Sequence, residues 1–93
     1  MGKYFVDFED IARRDLKNHY KSGNKATIKK IEKILLELTE SPFSGEGQPE
    51  ELKYNYTGYW SRKINKKDRL IYRVEEEIVT VIIVSAMDHY SDK

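Results

Sequence analysis

The chain has no cysteine among its 93 residues. Disulfides, cysteine-ligated zinc and thiol nucleophiles are thereby excluded, and the composition suits a reducing cytosol. A long apolar run is also missing. The longest, residues 78–87, is interrupted by Thr80 and Ser85 and is too short to span a bilayer, so no membrane partner is expected. The first ten residues, MGKYFVDFED, turn acidic where a secretory leader needs an apolar stretch. Val6 occupies the position at which a myristoylation motif requires Ser or Thr. A cytoplasmic protein is expected. Nor is there a large net charge: 17 basic residues face 16 acidic ones, leaving +1. Proteins that coat nucleic acid indiscriminately are strongly basic, so this chain is not expected to be a coat.

What positive charge there is lies close together. Between Lys53 and Arg73 stand seven basic residues (Lys53, Arg62, Lys63, Lys66, Lys67, Arg69 and Arg73) and one acid, Asp68, a local charge of +6. Tyr54, Tyr56, Tyr59, Trp60 and Tyr72 are interleaved with them. A concentrated positive field with aromatic faces suits single-stranded nucleic acid.

Ninety-three residues make one domain, 1–93. Aromatic and β-branched residues mark a short first strand over 3–7. Phe8, Ile11, Ala12, Leu16 and Tyr20 then recur at helical spacing up to Gly23-Asn24, a C-terminal stop signal. Ile28, Ile31, Ile34, Leu35 and Leu38 predict a second helix over 25–40. The short link between them predicts an αα-hairpin. His19, in the middle of the first helix, is expected to be exposed and idle. Lys25, Lys29, Lys30 and Lys33 lie off the apolar stripe, as a solvated face or a second contact zone for an RNA backbone. Both prolines fall in a loop over 41–49, where Pro42 stops the helix and Phe43 pins the loop to the core.

Strands follow over 50–54, 59–64, 69–74 and 78–87, joined by short links as an antiparallel meander. The last is apolar on both faces and should be central. Helices before sheet argue an α+β fold. Alternation sets Arg69 and Arg73 on one face of their strand and Leu70, Tyr72 and Val74 on the other.

A carboxylate at one end of this sheet (Glu50, with Glu51 equally eligible by type), arginines in the middle and His89-Tyr90 at the end of the chain match the demands of RNA cleavage by the 2′-hydroxyl. A base removes the 2′ proton, a planar guanidinium holds the phosphorane oxygens, and an acid protonates the leaving 5′-oxygen. Each residue also has a plainer role: solvated carboxylate, cross-strand ion pair, terminal histidine, or, for Trp60, part of the core.

The segments Pro42-Phe43, Gly45-Glu46-Gly47, Pro49-Glu50, Leu52-Lys53, Gly58-Tyr59-Trp60-Ser61-Arg62, Ile64, Arg69-Leu70, Tyr72 and His89-Tyr90 resemble the YoeB toxins of the RelE superfamily. The resemblance covers essentially the whole chain. It implies a RelE-like fold, an N-terminal strand and helical hairpin packed on a twisted antiparallel β-sheet. It implies the toxin of a type II toxin–antitoxin pair, an endoribonuclease that cleaves mRNA in the ribosomal A site with no metal or other cofactor. By position, Glu50 is then the general base, Arg69 the stabiliser of the phosphate, His89 the acid, and Tyr90 the group that orients the RNA. Lys53, Arg62 and Lys63 hold RNA backbone, with Arg73 beside them; Lys63 stands where the family usually has arginine. The implied partners are a cognate YefM-like antitoxin, the 70S ribosome with its mRNA, and a second copy of the chain in a homodimer. Two departures stand out: Ser91-Asp92-Lys93 follow the final tyrosine, and Asp88 precedes His89. The alternatives are a non-catalytic ParE-like toxin acting on gyrase, against which the full Glu/Arg/His-Tyr set argues, and a plain RNA-binding module.

Overall fold

A computed structural model describes residues 3–52 and 58–84. The elements run β1 (Phe5–Phe8), α1 (Asp10–Ser22), α2 (Lys25–Leu38), β2 (Glu50–Glu51), β3 (Tyr59–Lys63), β4 (Arg69–Glu75) and β5 (Ile78–Ile83). This is the α+β arrangement expected from the order of the patterns. Gly23 ends α1 at φ 75°, the left-handed conformation that glycine adopts without a Cβ clash. One residue later the Asn24 side chain accepts from the Thr27 N–H and caps α2. The two helices therefore reverse direction in a two-residue link.

The five strands form one sheet in the order β1-β5-β4-β3-β2. Strands β2 to β5 make the expected antiparallel meander. The first strand departs from an all-antiparallel sheet: β1 pairs parallel to β5, with Val6 opposite Val79 and Phe8 opposite Val81. β5 is thus interior, as its two apolar faces require. Between Ile71 and Tyr72 the β4–β5 register slips, so that Ile71 faces Ile83 but Tyr72 faces Val81. That irregularity brings Ile82 as well as Ile83 to the second, smaller apolar cluster.

The helices cover one face of the sheet. Ala12, Ile31, Ile34 and Leu38 pack on Leu70, Tyr72, Val79, Val81 and Val84, all buried. On the other face Leu52 and Ile71 are buried beneath Tyr59, Ile82 and Ile83. The larger cluster carries most of the apolar burial; the smaller one gives the opposite face a firm floor.

Candidate nucleic-acid interface

Cross-strand register determines which polar side chains share the face away from the helices. Glu50 lies opposite Ser61, and Ser61 opposite Ile71. Two residues along β3, Lys63 lies opposite Arg69; two residues back, Tyr59 lies opposite Arg73. Because side chains alternate along a strand, Glu50, Lys63, Arg69 and Arg73 all stand on this one face. Glu50 and Lys63 are exposed, whereas Arg69 and Arg73 are half-buried. Sheet spacing sets the Glu50 and Arg69 backbones about 12 Å apart, two strands across and two residues along.

At the Arg69 end of the sheet, Lys30, Lys63, Ile64, Asn65, Lys66 and Arg69 line a cleft of about 430 Å³. Four of these six are cations and none is a carboxylate, so the lining of the cleft is net positive and suits a phosphate. Lys30 comes from α2, which makes this one point at which the helical lysines join the sheet residues. Lys30 and Lys33 also reach Glu46, each at 3.4 Å. Hydrogen bonding to Lys30, and the charge of Lys33 beside it, hold the Glu46 carboxyl below its ordinary value.

The link from β3 to β4 that carries Lys66 and Lys67 is built by two side chains. Asn65 Oδ1 accepts from the Lys67 and Asp68 N–H groups, an Asx turn, and Asn65 Nδ2 donates to Asp68. Asp68, the lone acid of the basic stretch, is turned inward and lies 3.9 Å from His19 Nε2. His19 is therefore neither exposed nor idle: its side chain is 12% exposed and packs the helical hairpin onto this turn. Its spacing of three from Leu16, on the apolar stripe, is the signal that could have found it.

Three of the residues singled out in the sequence do not serve as an RNA surface. Arg62 is 0% exposed and faces the helices. Its Nη1 donates to Glu37 at 2.9 Å, its Nη2 to the carbonyls of Ser41 and Ser44 at 2.9 and 2.7 Å, and its Nε to Tyr72 Oη at 3.2 Å. No donor is left for an RNA backbone, because the 41–47 loop supplies the acceptors. Tyr72 is fully buried, and its hydroxyl donates to the Pro42 carbonyl. Trp60 packs on the main core, with Phe43 of the same loop 5.1 Å away ring to ring. Of the interleaved aromatics that are described, only Tyr59 is on the open face. Arg73 is on that face too, but it lies away from the basic cleft and reaches Glu75 at 3.4 Å and Glu9 at 3.5 Å.

Glu37 was missed altogether. It accepts from Arg62 and from the Glu46 N–H. Its only signal was a place beside the apolar stripe, one residue before Leu38. Lys53, His89 and Tyr90 lie outside the described residues. Val84 follows the Ile83–Ile71 pairing and so lies at the Arg69 end of β4.

A family model described as the YoeB-like toxin of bacterial type II toxin–antitoxin systems matches residues 8–90. Toxin YoeB of Escherichia coli O6:H1 is 36% identical over 72 residues, covering 77% of this chain and 83% of that protein. A structure of the YoeB/ParE toxin from Agrobacterium tumefaciens superposes with a TM-score of 0.81 at 28% identity, over 92% of this chain and 99% of that one. The toxin in a heterotetrameric YoeB–YefM toxin–antitoxin complex from Staphylococcus aureus superposes with a TM-score of 0.76 at 33% identity, over 94% and 98%.

Proposed function

The chain belongs to the YoeB-like toxins of bacterial type II toxin–antitoxin systems, and from that premise we propose that it is a ribosome-dependent endoribonuclease that cleaves mRNA in the A site. One observation carries the reading. Glu50 and Arg69 stand on the same sheet face, on either side of Lys63, beside a cleft lined by four cations.

In this reading mRNA lies across β2, β3 and β4 on the face away from the helices. Glu50 takes the proton from a ribose 2′-hydroxyl, and the freed oxygen attacks the adjacent phosphorus. Arg69 and Lys63 neutralise the charge that gathers on the non-bridging oxygens, where a guanidinium fork is the better geometric match. The bond to the 5′-oxygen breaks, and His89 gives that oxygen its proton. The products are a 2′,3′-cyclic phosphate and a free 5′-hydroxyl. Tyr90 orients the reacting phosphate and Lys53 holds the backbone beside Glu50.

The partner is a YefM-like antitoxin; the S. aureus YoeB–YefM complex of a similar toxin supports it. No helix among the described residues is long and apolar enough to cross a membrane, and the toxin works where ribosomes are, in the cytoplasm.

Primer extension on an mRNA in a purified translation system tests the reading. Wild-type protein should cut at A-site codons only when ribosomes are present, and Glu50→Gln, Arg69→Ala and His89→Ala should each lower cleavage ~10²-fold or more. Arrested growth with intact mRNA would transfer the activity to a protein target such as gyrase. Salt-sensitive RNA binding without cleavage would leave a binding module.

A further inference from the structure

The loop that delivers Glu50 to the sheet is held by its backbone carbonyls. Five of its backbone carbonyls are taken. Arg62 holds those of Ser41 and Ser44 and reaches that of Glu46 at 3.4 Å; Tyr72 holds that of Pro42; the Lys63 N–H holds that of Gly47 at 2.7 Å. Glu37 Oε1 closes the arrangement by accepting from Arg62 and, at 2.8 Å, from the Glu46 N–H. The fit leaves no slack. A Cβ on Gly45 would lie 2.2 Å from that same Glu37 oxygen, and one on Gly47 would lie 2.7 Å from the Lys63 carbonyl.

Only Gln48, at φ 53°, and Pro49 separate Gly47 from Glu50. β2 itself spans just two residues; on its far side Leu52 anchors it, its N–H donating to the Tyr59 carbonyl at 2.8 Å and its side chain buried in the smaller cluster, so the register on the near side depends on the loop. Glu50 lies opposite Ser61, the chain neighbour of Arg62. A one-residue slip would turn the Glu50 carboxylate to the opposite face and bring Glu51 to the cleft side. We infer that Arg62 and Glu37 are positioning residues: by holding the 41–47 loop they choose which of the two adjacent carboxylates, Glu50 or Glu51, faces the basic cleft. This rests on the reading of Glu50 as the base.

The test is single-turnover cleavage on stalled translation complexes at saturating toxin, below each variant's unfolding temperature, with affinity for the complex measured separately. Gly45→Ala drives a methyl into the Glu37 carboxylate and to 3.1 Å from Arg62 Nη1, at a φ of 123° that disfavours a side chain, and Glu37→Ala removes both of its bonds. Each should lower the cleavage rate ~10²-fold while leaving affinity within about 3-fold. Glu37→Gln keeps a carbonyl oxygen that accepts both bonds, and should recover most of the rate lost in Glu37→Ala. A role in stability alone would lower the unfolding temperature and leave the rate of the folded protein unchanged.

Full cleavage by folded Gly45→Ala overturns the inference. So does an affinity that falls in step with the rate, or a Glu37→Gln as slow as Glu37→Ala. Should Glu37→Ala fail to fold, Gly45→Ala and Glu37→Gln still decide, since neither removes a side chain. Glu50→Gln separates the two levels: undiminished cleavage there rejects Glu50 as base, whereas loss there beside full cleavage by Gly45→Ala rejects only the positioning.

Discussion

Arg62 and Tyr72, on adjacent strands, grip successive residues of one loop: Arg62 holds the Ser41 carbonyl, Tyr72 that of Pro42, and the two side chains are joined by a 3.2 Å hydrogen bond. The guanidinium carbon also stands 5.9 Å from the centre of the Tyr72 ring, within cation–π range. Buried charge is costly unless every donor is met; here backbone carbonyls and Glu37 meet them.

Replacing Arg62 should therefore be a stability event first. Arg62→Met keeps the bulk and strands the loop carbonyls and part of Glu37, at a cost of about 3 kcal/mol. Urea unfolding should show a lower midpoint with an unchanged slope. A midpoint equal to wild type would mean that water replaces the guanidinium without loss.

Tyr72 gives an alkaline signature. Burial raises its pKa above the ordinary 10.0, and the nearby Arg62 offsets this only in part. A phenol whose folded pKa is raised contributes stability that is full below its unfolded pKa and is lost as pH rises through the folded one. Stability should fall above about pH 10, and the fall should be shallower in Tyr72→Phe. It should not vanish, because burial and Glu32 raise the Tyr20 phenol as well. At neutral pH the same variant should lose about 2 kcal/mol, from the unmet Pro42 carbonyl and the unmet Arg62 Nε–H. Thermal unfolding across the alkaline range reads both effects.

Glu46 gives the acid counterpart. Lys30 and Lys33 lower its pKa from 4.5, so its contribution is present above the unfolded value and lost as pH falls through the folded one. The pair is exposed to solvent and should weaken with salt. Glu46→Gln should melt below wild type near neutrality in low salt and match it both in acid and in concentrated salt. A difference that persisted in acid would mean that the carboxylate's charge is not the cause.

The β4–β5 link holds Glu76 at φ 55° in a two-residue turn between Glu75 and Ile78, which are paired. A side chain at positive φ costs roughly 1–2 kcal/mol, and glycine avoids it. Glu76→Gly should stabilise the fold by roughly 0.5–1 kcal/mol after the entropy of the freer unfolded chain is counted, and it also relieves three consecutive like charges. Chemical denaturation of this one variant settles the sign.

Much of this fold is written locally. Helical spacing of Ile31, Ile34 and Leu38, the Gly23-Asn24 reversal, and alternation in residues 69–74 depend on neighbours a few positions away, and each appears where its pattern put it. Alternation likewise placed Arg69 opposite in facing to Leu70. The family likeness was legible as well, because the loop and strand motifs that carried it, from Pro42 to Glu50 and from Gly58 to Tyr72, are contiguous in the chain.

Tertiary structure decided the rest, and the reasons are physical. Arg62 and Lys63 are adjacent cations, and alternation says only that one of them points inward. Arg62 goes in because a loop twenty residues earlier brings the carbonyls that satisfy it, together with Glu37 from a helix. Asp68 and His19 meet only because the hairpin folds onto the turn. β1 pairs parallel to β5, the far end of the chain, which no local pattern could specify. A buried charge needs partners that are remote in sequence, and an interior strand accepts a neighbour on either edge. Local pattern therefore defined the elements of this protein, while long-range satisfaction of polar groups selected which of its cations are surface and which are scaffold.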